Sequence, residues 1–313
     1  MAAAKQQSSI APESSRLNEP WGRTRSVRNL IPYLYVAPAT LLLAVLVFYP
    51  LLLSLYSSVH IDNLLLPGEH AFVGVANYMA VLHDPAFLQA AGNTLEYFSL
   101  ASVGVLLLGL PAAFWFHSIR RGRGFFLALL MLPWAIPGTV TGLLWSFIYN
   151  PISGLLNALL STFHLIPHYV VWLNGSASSR LFIGVSLLWQ VLPLTVLIFL
   201  AGLESIPTSV YEAAAVDGCT GWQAVRSITI PLLRPSLAIG LVEAGVLGIG
   251  VFDQIYVLTG YAPATKSAII QTYLYAFQNL NFGQGIAAAM CVTVVTLLVT
   301  VVYLKAVYRE VAY

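Results

Sequence analysis

Apolar residues gather in six long runs, near residues 33–58, 95–117, 125–149, 181–203, 237–258 and 284–306. Each reaches or exceeds the roughly 20 residues that an α-helix needs to cross the hydrocarbon core of a bilayer. The pattern predicts an all-α membrane protein with six transmembrane helices. Residues 1–29 ahead of the first run are polar and rich in Ser, Pro and Arg, which predicts a disordered basic tail. Residues 30–313 then form one membrane domain. The second run carries Pro111, and the third carries Pro133 and Pro137. Proline is tolerated in a span where neighbours re-satisfy the freed carbonyls, often beside a cavity.

Between the fourth and fifth runs lies a polar island, Tyr211 to Ser236, inside a connecting loop of residues 204–236. It is charged and still reads as helix. Glu212, Ala213, Ala214, Ala215 and Val216 favour helix, with Thr208 or Ser209 placed to cap its start. Asp217-Gly218 reads as a stop and a turn, because glycine takes φ > 0 at little cost. Apolar residues at 222, 225 and 228 then mark one face of a second short helix, which Pro231 and Pro235 are expected to end. A helix–turn–helix of this kind beside a membrane is a docking element.

Composition agrees with the runs. Of 313 residues 58% are hydrophobic and 8% charged, against about a quarter charged in soluble domains. The apolar sequence exceeds what one soluble core can use, so the solvent is lipid. Cys219 and Cys291 are far apart and suggest neither a disulfide framework nor a metal site.

Charge sets the orientation. With the N-terminus inside, the cytoplasmic pieces are the tail, residues 118–124, residues 204–236 and the C-terminus. They hold twelve basic residues, against Arg180 and Lys266 on the opposite side. Both termini and the 204–236 loop are therefore expected in the cytoplasm. The tail, at +3, serves as a topology signal and is able to touch anionic lipid.

The order E-A-A-x-x-D-G, a 12-residue gap and P-x-x-x-P is carried by Glu212, Ala213, Ala214, Asp217, Gly218, Pro231 and Pro235. It resembles the signature cytoplasmic loop of bacterial ABC-importer permeases. Cys219 stands where that family usually has Ala, and Val225 where it often has Phe. Residues 72–94, Leu132–Asn157 and Phe252–Thr259 are similar to the carbohydrate-uptake branch of maltose-type and glycerol-phosphate-type permeases. Gly260-Tyr261-Ala262-Pro263 is a partial match to the Gly-Gly-Pro that usually follows. The resemblance runs from about residue 30 to 306.

It implies the permease subunit of an ATP-driven importer of a sugar or sugar derivative in the bacterial cytoplasmic membrane. The implied partners are a second permease in a heterodimer, two ATP-binding subunits and an extracytoplasmic solute-binding protein; no nucleic acid is involved. Glu212, Ala213, Ala214, Asp217 and Gly218 are the implied coupling residues, so the 204–236 segment is a coupling loop.

The chain lacks a G-x-x-x-x-G-K-[ST] phosphate loop. ATP and Mg are thus expected on the partner subunits, with no cofactor and no enzymatic activity in this chain. His164 and His168 have i,i+4 spacing but no third ligand nearby, so no metal site is expected.

In maltose-type relatives sugar contacts come from the spans flanking the loop, matching residues 187–194 and 244–251 here. The first group includes Trp189, Gln190 and Leu194; an indole beside an amide either suits a sugar ring or serves ordinary helix packing. The second, AGVLGIGV, is nearly all small or apolar. Glu243, early in the fifth run, either bonds a hydroxylated solute or closes an internal network. Glu96 and Asp253 are expected to reach the interface from the outer ends of their spans. An ion-coupled secondary transporter of a small polar solute is the alternative; it requires a coupling-ion site, and often internal repeats, and neither is detected.

Overall fold

Proline placement decides which apolar runs stay straight and which break. The computed structural model describes residues 25–307 except 66, 67, 69 and 120. Among these the apolar runs are almost wholly helical, and β-type pairing is confined to the isolated bridges His60–Phe72 and Asn63–Asn281. Five helices are long and apolar enough to cross a membrane, or six if one bent pair counts as a single span.

The chain divides into two units, Met1–Leu53 and Ser54–Tyr313. The first holds α1 (Arg25–Leu43), a widened helical turn, Ala44–Phe48, and the start of α2 (Tyr49–Ser58), which ends in the second. The tail expected over residues 1–29 thus ends in helix, since Arg25–Asn29 belong to α1; residues 1–24 lie outside the described residues. Every side chain from Pro32 to Leu53 is exposed, as a helix facing lipid requires.

In the second unit, α3 (Ala76–His83) leads to α4 (Pro85–Gly104). The latter continues through a widened turn into α5 (Leu110–Ser118). This span starts well before residue 95, where hydropathy alone placed it. Asp84 is its N-cap, accepting from the Ala86 N–H at 2.8 Å, and Pro85 takes a first-turn position that needs no N–H.

The third run is not the straight span expected over 125–149. It forms α6 (Arg123–Ala135) and α7 (Gly138–Ile148), bent by 98°. Pro137 restricts the residue before it, and Ile136 is extended at φ −85, ψ 130, so the helix stops there. After α8 (Leu155–Thr162) comes α9 (Ser176–Glu204), which absorbs Pro193 without breaking. It is 29 residues, about 43 Å long.

The polar island forms α10 (Thr208–Val216) and α11 (Gly221–Ala224). Pro231 and Pro235 do not end the second helix as expected. The widened turn Val225–Thr229 joins α11 to α12 (Ile230–Ile249), giving one helix, Gly221–Ile249. Pro231 sits in the first turn after that bulge, where the i→i+5 pattern leaves its missing N–H without consequence. The fifth span accordingly stops at Gly250, before the expected residue 258, and Asp253 opens a separate helix, α13 (Asp253–Thr259). The chain closes with α14 (Ala268–Tyr273) and α15 (Phe282–Val307).

The α12 helix is central and packs on α4, α9 and α15. Its Gly240, Ala244 and Gly248 are buried, the small-residue surface by which membrane helices approach closely. Tyr97 of α4, Ile183 and Leu187 of α9, Leu241 of α12 and Ile255 of α13 belong to one buried core. Tyr97 donates its buried hydroxyl to the Thr265 carbonyl at 2.8 Å. An ion pair fixes each end of α9. Glu204 pairs with Arg123 at the start of α6. Arg180 pairs with Glu96 at 2.5 Å and donates to the Ala264 carbonyl at 2.9 Å.

Candidate functional site

Two features stand out, the loop between α9 and α12 and a cleft where α6 breaks from α7. In the loop, Pro207 rather than Thr208 or Ser209 occupies the N-cap of α10, with no side-chain cap bond. The C-terminus is well capped. Gly218 has φ +79, its N–H donates to the Ala215 carbonyl at 3.1 Å, and the Cys219 N–H donates to the Ala214 carbonyl at 2.9 Å. These two bonds make a Schellman motif. The chain then enters α11 through a capping box in which Thr220 and Gln223 satisfy each other's backbone donors. Tyr211 and Thr229 hydroxyls, 3.0 Å apart, tie the two arms.

The result is a braced helix–turn–helix with an exposed face. Glu212, Ala213, Asp217 and Gly218 are exposed, while Ala214 is half-buried. Val216 is 88% exposed and Trp222 76% exposed, although both sit on structured backbone. Both exposed apolar side chains lie on the loop that also carries the exposed Glu212 and Asp217. Trp222 was legible only as one of three apolar residues on a helix face; Val225 and Ile228 are half-buried, and Trp222 points out.

The cleft has about 660 Å³ of empty space, including its open mouth. Trp134, Gln190, Gly250, Phe252, Asp253 and Gln254 are among its lining residues. The broken helix explains its polarity. The Ile136 carbonyl, freed at the bend, accepts from Gln190 Nε2 at 2.8 Å, and Gln190 Oε1 accepts from Gln254 Nε2. Asp253 lies against the first turn of α7, so close that a Cβ on Gly138 would fall 2.5 Å from Asp253 Oδ2. Glycine is needed there for room.

Of the residues expected along a solute path, Gln190 lines the cleft. Trp189 turns away and meets Trp145 edge-on, with ring centroids 5.9 Å apart. Leu194 is half-buried one helical turn beyond the cleft lining. Glu243 accepts from Thr195 Oγ1 at 2.7 Å, and its Oε1 is buried without a hydrogen-bond partner. The cleft thus unites Gln190 with Trp134, Phe252, Asp253 and Gln254, which sequence reasoning did not assemble. The second proline of the third run was the available signal, because a helix broken inside a membrane exposes carbonyls that polar side chains must meet. Outside the spans, burial lowers the Lys266 ammonium from its ordinary value, with the Asp84 carboxylate opposing.

A family model described as "Binding-protein-dependent transport system inner membrane component" matches residues 105–309. The chain is 35% identical over 275 residues to the "Trehalose/maltose transport system permease protein MalF" of Thermococcus litoralis, covering 87% of this chain and 92% of that protein. It is 31% identical over 294 residues to the "sn-glycerol-3-phosphate transport system permease protein UgpA" of Agrobacterium fabrum, covering 91% and 97%. Among solved structures it resembles a chain of a bacterial alginate ABC transporter in complex with an alginate pentasaccharide-bound periplasmic protein. The TM-score is 0.72 at 22% identity, over 89% of this chain and 94% of that one, which is a likeness of fold.

Proposed function

This chain belongs to the family of binding-protein-dependent transport system inner membrane components, and on that premise we propose how it works. It is the transmembrane permease subunit of an ATP-driven ABC importer that carries a sugar or sugar derivative. A binding protein outside delivers solute to the mouth formed with a second permease. Two ATP-binding subunits, which hold ATP and Mg²⁺, grip the helix–turn–helix from the cytoplasm. The basic residues flanking the spans support this orientation in the cytoplasmic membrane, with both termini on its cytoplasmic side.

One observation carries the mechanism. The helix that begins beside the exposed loop face at Gly221 runs unbroken to Ile249 at the cleft. It is 29 residues, about 43 Å. A displacement imposed on Glu212, Val216 or Trp222 by closing ATP-binding subunits is therefore delivered as a rigid-body movement to Leu247 and Gly250, which line the cleft. The capping bonds around Gly218 and Thr220 keep that displacement from being lost in the turn. Access alternates around the cleft as the helix tilts.

Reconstitution tests this reading. The full complex in proteoliposomes is expected to import sugar only with both the binding protein and ATP present. Import that persists without ATP and follows an ion gradient contradicts it.

A further inference from the structure

The connection between α7 and α9 is folded, apolar on its outside and uncharged. No Asp, Glu, Lys or Arg occurs between Arg123 and Arg180, so α7, α8 and the loops around them carry no permanent charge. Residues 150–172 are nevertheless tightly braced. Asn157 of α8 is fully buried; its Nδ2 donates to the Val170 carbonyl and its Oδ1 accepts from the Val170 N–H, both at 3.0 Å. With that amide turned inward, the outer side of α8 is apolar. Leu155, Leu159 and Phe163 recur every fourth residue, at helical spacing, and are exposed by 48–70%. Ile152 and Leu165 flank them and are exposed as well. The depth of the segment is set by Phe182, in the second turn of α9, a helix long and apolar enough to cross the bilayer. Tyr149 donates its hydroxyl to the Phe182 carbonyl at 2.9 Å, and the Trp172 ring meets the Phe182 ring edge-on with centroids 5.1 Å apart. Both ends of the connection are therefore pinned beside a span, about 9 Å along α9 from its start at Ser176.

We infer that α8 lies in the membrane interface, with Leu155, Leu159 and Phe163 seated among the lipids of the leaflet that α9 enters at its N-terminus. On the orientation proposed above this is the outer leaflet. Three observations favour lipid as the occupant. Surfaces that face water rarely keep contiguous apolar patches, and this one is held open by a buried amide rather than by chance exposure. A soluble partner that comes and goes is met by a face with a polar, charged rim, and this segment has no permanent charge to form one. Tyr149 and Trp172 hold the segment beside the first turns of a span, the level at which aromatic side chains mark the boundary between headgroups and hydrocarbon. An apolar helix face lying in that plane sinks about 5–10 Å into the boundary. Seated so, α8 fixes the far end of α7, whose first residue, Gly138, lines the cleft.

The test uses the complete transporter in lipid vesicles, with Cys219 and Cys291 replaced by serine. A fluorophore is attached to a single cysteine introduced by Leu159→Cys, Phe163→Cys or, for comparison, Ser176→Cys. Co-purification of the subunits shows that each variant assembles, and Ile152→Cys replaces any that does not. Two quenchers are compared: iodide in the water on both sides of the membrane, and phospholipid carrying a nitroxide either near the headgroup or at the end of the acyl chain. Positions 159 and 163 are expected to lose fluorescence to nitroxide lipid, more to the shallow label than to the deep one, and to be shielded from iodide. Position 176 is expected to be quenched by iodide. Iodide quenching at 159 and 163 as strong as at 176 places the face in water and overturns the inference. Quenching by neither agent places it under protein, a second permease or the binding protein, and overturns it equally. Stronger quenching from the deep label places α8 in the hydrocarbon core and overturns the interfacial position.

Discussion

Replacing Gly218 by valine isolates the turn from everything around it. A Cβ built at this position has nothing within 4 Å, so the substitution creates no collision with the rest of the protein. The cost is confined to backbone: φ is +79, and an L-residue in the left-handed region loses roughly 1–2 kcal/mol, with β-branched side chains at the upper end. If the turn relaxes to avoid that strain, it loses the Gly218–Ala215 and Cys219–Ala214 bonds, each contributing about 0.5–1.5 kcal/mol. Either route tilts α10 against α11 and misplaces Glu212 and Val216 relative to Trp222. The spans are untouched, so the amount of permease in the membrane should match wild type. Retention of the ATP-binding subunits in detergent should fall about 5–30-fold, the factor corresponding to 1–2 kcal/mol. Asparagine tolerates the left-handed region, so Gly218→Asn should lie close to wild type and serves as the control. The assay is co-purification, ATP hydrolysis and uptake on all three proteins. Wild-type coupled uptake by Gly218→Val refutes the idea that this turn aligns a lever.

Glu212→Ala should weaken retention of the ATP-binding subunits more mildly than Gly218→Val, because it deletes one exposed carboxylate and leaves the turn; pull-down titration measures it. Gln190→Ala should slow uptake and lower Tm, since it orphans the Ile136 carbonyl and the Gln254 amide at roughly 1–3 kcal/mol for each buried group. Gln254→Ala should do likewise, and the double variant should fall short of the sum of the two; additive losses in thermal melts argue against the pair. With Cys219 and Cys291 replaced by serine, cysteine at Ser118 should be labelled only from the cytoplasmic side and cysteine at Ser176 only from outside. Labelling of both from one face contradicts the assigned orientation.

The helix–turn–helix was legible because its determinants are local. Gly218 takes the positive φ that Asp217-Gly218 suggested, and helix formers precede it. The break in the third run was not legible as a break. Hydropathy is blind to direction, and a continuous apolar stretch reads as straight even when Pro137 forces Ile136 out of helical geometry. The reverse error befell Pro231 and Pro235. They signalled an end, yet a bulged turn ahead of Pro231 lets the helix continue to Ile249. The cleft was half visible. Gln190 stood out as an amide inside an apolar run, whereas Gln254 and Asp253 looked like the end of a span. Only the early stop at Gly250 folds them back beside α7.

The central claim is that the face bearing Glu212, Val216 and Trp222 is where ATP-binding subunits seat. A photo-crosslinking amino acid at Val216, exposed and outside any helix–helix contact surface of the spans, tests it directly in the assembled complex. The expected result is a covalent adduct with an ATP-binding subunit from position 216 and none from position 176 at the opposite end of α9. An adduct from position 176, or none from position 216 in a complex that imports solute, contradicts the account.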